Sequence, residues 1–184
     1  NKVLVIKRDT QSFLKFLLKK EKPKAILEIG TAVGFSALFM QEFAPCDAHI
    51  FTIEKVEMRL KEARKNLAGN EGITLIEADA GDALRMLVRD SRKFDLVFLD
   101  AAKAQYPVWL KDIVKLLAPG GLLVTDNCLQ EGSLAESKFS VERRDRTIHK
   151  RMREYLYDIT HSQDLDTVII PAGDGISLSC KTER

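Results

Sequence analysis

The sequence predicts an α/β fold built on a doubly wound, mostly parallel sheet. Apolar, β-rich runs alternate with helical patterns along most of the chain. The first of these runs are almost continuously apolar, as expected of strands that are buried on both faces. The last two runs are joined through Gly173-Asp174-Gly175, a turn that favours a hairpin. We therefore expect one domain, residues 1–184, in which a hairpin supplies the final two strands.

Each element follows from a local pattern. Pro23 ends the first helical pattern, because proline disfavours the helical conformation in the residue before it. Pro107 fits the first turn of a later helix, and Pro119-Gly120-Gly121 predicts a turn before the fifth strand. The predicted strands are 25–30, 49–54, 73–78, 94–100, 122–126, 166–171 and 176–180. The predicted helices are 11–20, 34–43, 57–67, a stretch ending at Leu87, a stretch from Pro107 to Leu117, and a stretch containing 148–159.

The composition argues against several classes of protein. A formal net charge of +2 gives no global nucleic-acid or membrane signature, so any basic surface must be local. No apolar run approaches the roughly 18 residues of a membrane span, and no signal peptide is visible. Cys46, Cys128 and Cys180 form no metal or disulfide pattern, which favours a reducing cytosol. The pattern begins abruptly at Asn1, so we expect a further N-terminal segment before this chain.

Two predicted strands end on oxygen-bearing side chains. FDLVFLD ends at Asp100, and GGLLVTDN ends at Asp126 and Asn127. Ligands of open parallel sheets bind beyond the carboxyl ends of the strands, where adjacent strands would bring these three side chains together. Two carboxylates and one amide oxygen suit Mg²⁺ or a similar hard cation. A lone Asp-Asn pair is more often a turn or a helix cap, but the rest of the chain argues against that explanation.

The first predicted strand leads into a glycine-rich turn. In Glu28-Ile29-Gly30-Thr31-Ala32-Val33-Gly34 the glycines lie four residues apart, unlike the G-x-G-x-x-G spacing of dinucleotide sites. Such a turn lets a ligand approach the backbone at a helix N-terminus. The second strand ends at Glu54, whose carboxylate can accept both ribose hydroxyls of a nucleoside cofactor. Each feature alone is weak, but together they favour an adenosyl ligand.

At these motifs the chain resembles the cation-dependent O-methyltransferases of the catechol and caffeoyl-CoA type. The resemblance runs through LEIGTAVGFSA, FTIE, FDLVFLDAAKAQY, PGGLLVTDN and PAGDGISLS, in the family's order and over nearly the whole chain. It implies a Rossmann-like class I S-adenosylmethionine (SAM) fold with seven strands, the last antiparallel, and a homodimer. The roles it implies are Glu28, Gly30 and Ser36 beside the methionine part of SAM, Glu54 at the ribose, Asp79 and Ala80 beside the adenine, Asp100 at both cofactor and metal, Asp126 and Asn127 at the metal, and Lys103 as the catalytic lysine.

The implied ligands predict how such an enzyme works. A neutral hydroxyl is a poor nucleophile towards a sulfonium methyl group, and a divalent cation would stabilise its oxyanion. The ammonium form of Lys103 would be disfavoured near that cation, which suits a general base. The ordinary alternatives for Lys103 are a solvated surface lysine and a salt-bridge partner of an acid at a strand end. Cys128 stands where the family often has an aliphatic residue, and we expect it to pack near the site because a thiolate is too soft for Mg²⁺.

The nature of the acceptor depends on a basic segment after the metal-site strand. Residues 138–153 carry seven lysines and arginines against Glu142 and Asp145. The part RRDRTIHKRMREYL resembles the bacterial tRNA 5-hydroxyuridine methyltransferases within the same family. We therefore expect tRNA as the partner, with 5-hydroxyuridine converted to 5-methoxyuridine. The residues expected to contact it are Arg143, Arg144, Arg146, Lys150, Arg151 and Arg153.

Other interpretations stay open at this point. If the acceptor is a small catechol-like or caffeoyl-CoA-like hydroxyl, the basic segment is only the solvated face of a helix. His149 is expected to be a surface histidine rather than a base. A dinucleotide-dependent oxidoreductase fits the fold but lacks the glycine spacing and leaves the metal ligands unexplained. A non-catalytic RNA-binding module explains the arginines but not Lys103 beside three metal ligands.

Overall fold

The computed structural model describes residues 6–129 and 146–183, which form a seven-stranded sheet in the order β3-β2-β1-β4-β5-β7-β6. The strands are β1 (Ala25–Ile29), β2 (His49–Glu54), β3 (Ile73–Glu77), β4 (Phe94–Leu99), β5 (Leu117–Thr125), β6 (Leu165–Ile170) and β7 (Ile176–Lys181). The helices are α1 (Arg8–Glu21), α2 (Phe35–Phe43), α3 (Glu57–Asn66), α4 (Ala80–Arg89), α5 (Tyr106–Leu116) and α6 (Arg146–His161). A short 3-10 turn, Lys103–Gln105, precedes α5.

The sheet is parallel from β3 to β5, and β7 runs antiparallel to both β5 and β6. The predicted doubly wound sheet, its closing hairpin and its antiparallel last strand are therefore confirmed. The strand order reverses between β1 and β4, which are neighbours in the sheet. From β1 the chain continues to β2 and β3 at one edge, and from β4 it continues towards the other edge. Such a switch point leaves a crevice beyond the carboxyl ends of the two strands, where ligands of this fold class bind.

Helices cover both faces of the sheet, because the two central strands are apolar on both sides. Along β1, Leu27 and Ile29 pack with α4, α5 and α6, whereas Ile26 packs with α1 and α2. The alternation follows from the two-residue period of a strand. Glu28 lies between Leu27 and Ile29 and therefore points to the side of α1 and α2, completely buried.

The fifth strand begins earlier than the sequence predicts. Phe94 pairs with Leu117 and Leu96 pairs with Leu122, so the intervening residues form a bulge within β5 instead of a turn before it. A side chain at Gly121 would lie 2.8 Å from the carbonyl oxygen of Ala118. The bulge therefore needs a glycine at that position. The same glycine led the sequence analysis to predict a turn.

The last helix, α6, matches its prediction except at one residue. Met152, Tyr155 and Ile159 are buried, as the apolar stripe predicts. The prediction that His149 lies on the surface is wrong, because only 2% of it is exposed. His149 lies three residues before Met152 and so shares the buried face of the helix. Arg143 and Arg144 lie outside the described residues.

The described residues contain no helix that is both long enough and apolar enough to cross a membrane.

Candidate active site

Backbone hydrogen bonds continue the sheet past the ends of its central strands. The amide of Asp100 donates to Ile29 O at 3.1 Å, and the amide of Asp126 donates to Leu99 O at 3.2 Å. Asp100, which directly follows β4, therefore lies beside the end of β1, and Asp126, which directly follows β5, lies beside the end of β4. The structure brings together the two strand ends that the sequence singled out, at the switch point of the sheet.

Gly30 allows this close approach of backbones. Its φ of +109° favours glycine, and a side chain there would lie 2.2 Å from the carbonyl oxygen of Asp100. The sequence implied Gly30 as a cofactor neighbour. The structure shows that the packing of β1 against the Asp100 backbone is already a sufficient reason for glycine.

The acidic pair at this edge is poorly compensated by the protein itself. Burial and the nearby Asp126 carboxylate raise the pKa of Asp100 to about 6, against the opposing effects of Lys103 and the Asn127 side chain. Burial also raises the pKa of Asp126. Asp126 Oδ2 is buried and has no hydrogen-bond partner among residues 6–129 and 146–183. Two adjacent buried carboxylates of this kind are a set that a bound cation would stabilise.

The donor set is oxygen-only and combines two carboxylates with the amide of Asn127, which has a left-handed φ of +55°. Residues 6–129 and 146–183 contain no group of three or more His, Cys, Asp or Glu side chains that could hold a metal ion. The unpartnered Asp126 Oδ2 and the hard oxygen donors nevertheless fit a cation such as Mg²⁺.

Lys103 lies in the 3-10 turn directly after the Asp100 loop and is half-buried. Burial lowers its pKa, and the Asp100 and Asp126 carboxylates oppose that shift. The loop is held by Tyr106, whose hydroxyl accepts from Ala101 N at 3.0 Å and donates to Ala101 O at 3.2 Å. Lys103 therefore projects from a fixed loop and loses its proton more readily than an exposed lysine.

Cys128 follows the candidate metal ligands and is completely buried. Its amide donates to Gly175 O at 2.9 Å, and burial raises the pKa of its thiol to about 12. The thiol therefore stays protonated and packs beside the site, as expected from the sequence.

A buried polar cluster lies beneath the glycine-rich turn. Glu28 Oε2 accepts a hydrogen bond from the hydroxyl of Thr52, and the nearby Ser36 hydroxyl works to lower the pKa of Glu28. Glu28 Oε1 has no partner among the described residues. Thr31 Oγ1 lies 2.6 Å from Thr52 Oγ1. Burial raises the pKa of Glu28 to about 7. Glu28 and Ser36 are thus brought together, as their implied shared role requires.

Glu54 carries a structural role that the sequence did not reveal. Its Oε2 accepts from Ala32 N at 3.1 Å, and its Oε1 accepts from the amides of Lys55 and Val56, each at 2.9 Å. The carboxylate thus ties the glycine-rich turn to the end of β2. A carboxylate offers about four acceptor positions, so a ribose hydroxyl can still bind to it.

Asp79 and Ala80 lie beside Glu54 on the next strand end. Asp79 caps α4, its Oδ1 accepting from Gly81 N at 2.9 Å, and Ala80 is the first residue of that helix. Asp79 Oδ2 pairs with Lys55 Nζ at 2.9 Å, and this contact lowers the pKa of Asp79. The ends of β1, β2 and β3 therefore carry the residues implied for the cofactor, next to the acidic pair at β4 and β5.

Comparison with known proteins identifies the family. A family model described as O-methyltransferase matches residues 1–182. The chain belongs to the O-methyltransferase family. This methyltransferase is 30% identical over 186 residues to caffeoyl-CoA O-methyltransferase 1 of Eucalyptus globulus, covering 96% of this chain and 74% of that protein. It is 31% identical over 128 residues to a catechol O-methyltransferase of Niastella koreensis, covering 67% and 58%.

Solved structures agree with this assignment. The SAM complex of the O-methyltransferase TomG from Streptomyces achromogenes superposes with a TM-score of 0.84 at 26% identity, covering 97% of this chain and 82% of the other. The S-adenosylhomocysteine-bound methyltransferase PaMTH1 of Podospora anserina gives a TM-score of 0.85 at 26% identity, covering 97% and 80%. The methyltransferase is therefore a SAM-dependent enzyme of the caffeoyl-CoA and catechol type, and the oxidoreductase and RNA-binding-module interpretations are set aside.

Two residues at the site escaped sequence reasoning. Tyr106 holds the Asp100 loop, and Thr10 of α1 donates to Asp126 Oδ1 at 3.0 Å. Tyr106 lies just before the helix that the sequence predicts from Pro107, and no local pattern indicated its contact with Ala101. Thr10 carried one signal, since it occupies the position of an apolar residue in the stripe that continues with Leu14 and Leu17.

Proposed function

We propose that this methyltransferase methylates the 5-hydroxyl of 5-hydroxyuridine in tRNA, with a divalent cation held by Asp100, Asp126 and Asn127. The cation part of the proposal is supported by Asp126 Oδ2, a buried carboxylate oxygen that has no partner among the described residues. Leaving such an oxygen unpaired costs on the order of 1–3 kcal/mol. A hard cation such as Mg²⁺ would remove that cost.

The residues of the chain divide the reaction between them. A bound divalent cation supplies Lewis-acid stabilisation of the acceptor oxyanion. Lys103 takes the proton from the acceptor hydroxyl, for which its lowered pKa is suited. The acceptor oxygen then bonds to the methyl carbon as the carbon–sulfur bond breaks, which releases S-adenosylhomocysteine as a neutral thioether. Glu28, Ser36 and Glu54 hold SAM so that oxygen, carbon and sulfur lie in line.

The tRNA part of the proposal rests on the exposed face of α6. Arg146, Lys150 and Arg153 are exposed and follow one another at helical spacing, opposite the buried stripe. Arg151, on the same helix, pairs with Glu154 at 3.1 Å. The helix packs against the 3-10 turn that carries Lys103, so a phosphate backbone bound along this face would lie next to the site.

A second candidate acceptor is a small molecule with two neighbouring oxygens, such as a catechol. The observation in its favour is that relatives of this methyltransferase are named for catechol and caffeoyl-CoA. Such an acceptor needs no phosphate-binding surface. The homodimer and the cytoplasmic location also stay predictions.

The cation is tested by methyl transfer with excess EDTA and then with added Mg²⁺. We expect EDTA to abolish turnover, Mg²⁺ to restore it, and the affinity for SAM to stay the same. Undiminished turnover in EDTA would remove the cation from the proposal.

The acceptor is tested by offering hypomodified tRNA that carries 5-hydroxyuridine and a small catechol side by side. Changing Arg146, Lys150 and Arg153 together to Ala should weaken tRNA binding and lower the slope of log K against log salt by about 3. Turnover of the catechol should be unaffected. A matched variant loses three exposed lysines elsewhere, Lys20, Lys61 and Lys65, and should bind tRNA like wild type.

If wild type turns over the catechol but not the tRNA, the acceptor is a small molecule. If both triple variants weaken tRNA binding equally, the effect is one of net charge, and α6 is not the binding face.

A further inference from the structure

A hydroxyl group on the first helix contacts the acidic edge of the site. Thr10 is completely buried, and its Oγ1 donates to Asp126 Oδ1 at 3.0 Å. The two residues are 116 positions apart in the sequence. Thr10 is not the N-cap of α1, which is Lys7, so capping does not explain a threonine there.

Thr10 occupies a position where an apolar residue would satisfy the fold. It starts the stripe that continues with Leu14, Leu17 and Leu18, all of them buried. A polar group in such a stripe is stabilising only when it is hydrogen-bonded. Among the described residues, the Thr10 hydroxyl donates to the Asp126 carboxylate, so it acts on that group.

The two oxygens of Asp126 are treated differently by the protein. Oδ1 accepts from Thr10 Oγ1 at 3.0 Å and from Asn127 N at 2.8 Å. Oδ2 is buried and has no partner within the part of the chain that the structure describes. Two donors on one oxygen fix the rotation of the carboxylate, so that the other oxygen is the one presented to a ligand.

The first turn of α1 is itself anchored to the neighbouring loops. Lys7 Nζ pairs with Asp174 Oδ1 at 2.5 Å, in the hairpin between β6 and β7. Gln11 Nε2 donates to Ile6 O at 2.8 Å. The same hairpin receives the amides of Cys128 and Leu129, directly after the candidate ligands. The hydroxyl of Thr10 is therefore held in place and not free to follow Asp126.

We propose that Thr10 is a positioning residue, whose hydroxyl fixes Asp126 Oδ1 so that Oδ2 faces the divalent cation. The inference rests on the proposed cation site and extends it to a residue on α1. Groups that orient the ligands of a metal typically contribute about 10- to 100-fold to its affinity. Thr10 acts through Asp126 and has no contact with the reacting atoms in this proposal.

The test is the affinity for Mn²⁺ as a probe cation, measured by calorimetry on the full chain with bound S-adenosylhomocysteine. Thr10→Val removes the hydroxyl at constant shape, and Thr10→Ser keeps it. We expect Thr10→Val to weaken Mn²⁺ binding by about 10-fold or more, and Thr10→Ser to bind within about threefold of wild type. The affinity for S-adenosylhomocysteine should be equal in all three and shows that the fold is intact. If Thr10→Val does not fold, Thr10→Ala takes its place.

A second readout separates positioning from a general loss of structure. With Mg²⁺ raised to saturation, Thr10→Val should recover most of its turnover, so the defect appears in the Mg²⁺ concentration needed.

The outcomes distinguish this inference from the proposal on which it rests. If wild type binds no cation, the cation site itself is wrong, and the role of Thr10 fails with it. If wild type binds Mn²⁺ and Thr10→Val binds it equally well, the cation site stands and Thr10 has no positioning role. Equal losses in Thr10→Val and Thr10→Ser would also refute the inference, since the hydroxyl would not be the cause.

Discussion

Glu54 offers the sharpest test of how the site is built, because two roles meet on one carboxylate. Its oxygens accept three backbone N–H groups, from Ala32, Lys55 and Val56, at 2.9–3.1 Å. The carboxylate is only 5% exposed. Replacing Glu54 with Ala therefore removes the link between the glycine-rich turn and β2 as well as the proposed ribose acceptor.

The magnitude of each effect follows from the bonds lost. A hydrogen bond to a charged group contributes about 1.5–3 kcal/mol, but these N–H groups are partly exposed and can rebind to water. We expect Glu54→Ala to lower the free energy of unfolding of the SAM-free enzyme by about 2–4 kcal/mol. Loss of the ribose acceptor should weaken SAM binding by about 1–3 kcal/mol, which corresponds to roughly 5- to 150-fold in Kd.

The assays are urea unfolding without cofactor and calorimetric titration with SAM at a temperature where the variants are folded. Glu54→Gln keeps one acceptor oxygen and should fall between wild type and Glu54→Ala in both assays. Glu57→Ala removes an exposed acid three residues away, paired with Arg64 on the surface, and should change neither. A Glu54→Ala enzyme with reduced stability but unchanged SAM affinity would refute the ribose assignment. Unchanged stability would refute the structural role.

Three further predictions concern other charged groups of the site. Asp126→Ala should abolish methyl transfer and cation binding, because losing one ligand is decisive in so small a donor set. Its affinity for SAM should stay within about twofold of wild type. Full activity of this variant in EDTA would contradict the prediction. Lys103→Met should lower kcat by about 10²–10⁴-fold with SAM affinity unchanged, whereas Lys111→Met, an exposed control, should have no effect; a loss under twofold would exclude Lys103 as the base. Glu28 has its pKa raised from 4.5 to about 7, so between these values the unfolded chain releases the proton and the folded SAM-free enzyme keeps it. The free energy of unfolding of wild type, relative to that of Glu28→Gln, should therefore fall by ~3 kcal/mol as the pH rises through this window and stay level above it. If urea unfolding shows that the difference between the two proteins is constant from pH 5 to 8, the burial argument is refuted.

The features of the fold that depend on local patterns could be predicted from the sequence. Strand periodicity, prolines and the closing hairpin turn predicted nearly every element of the sheet. Because parallel strands end at a common edge, the sequence also predicted that Asp100 and Asp126 come together, and the backbone bonds at Ile29 and Leu99 place them there. Membership of the O-methyltransferase family was visible in the same motifs.

Other features depended on neighbours that no local pattern names. His149 was expected on the surface, but its position in α6 turns it towards the core. The Pro119-Gly120-Gly121 signal is the same for a turn and a bulge, and only pairing with β4 decides between them. Glu54 was expected to serve the cofactor alone. Its structural role was missed because its bond to Ala32 N joins two strand ends that are separate in the sequence.

Local periodicity and short motifs are enough to predict which strands form, which side chains end them and which family the chain belongs to. Tertiary structure alone decided what each carboxylate oxygen contacts. Thr10 reaches Asp126 only because α1 packs on the face of the sheet that includes β5, a strand far from it in the chain. Contacts of that kind are set by the packing of whole elements, and spacing along the chain does not encode them.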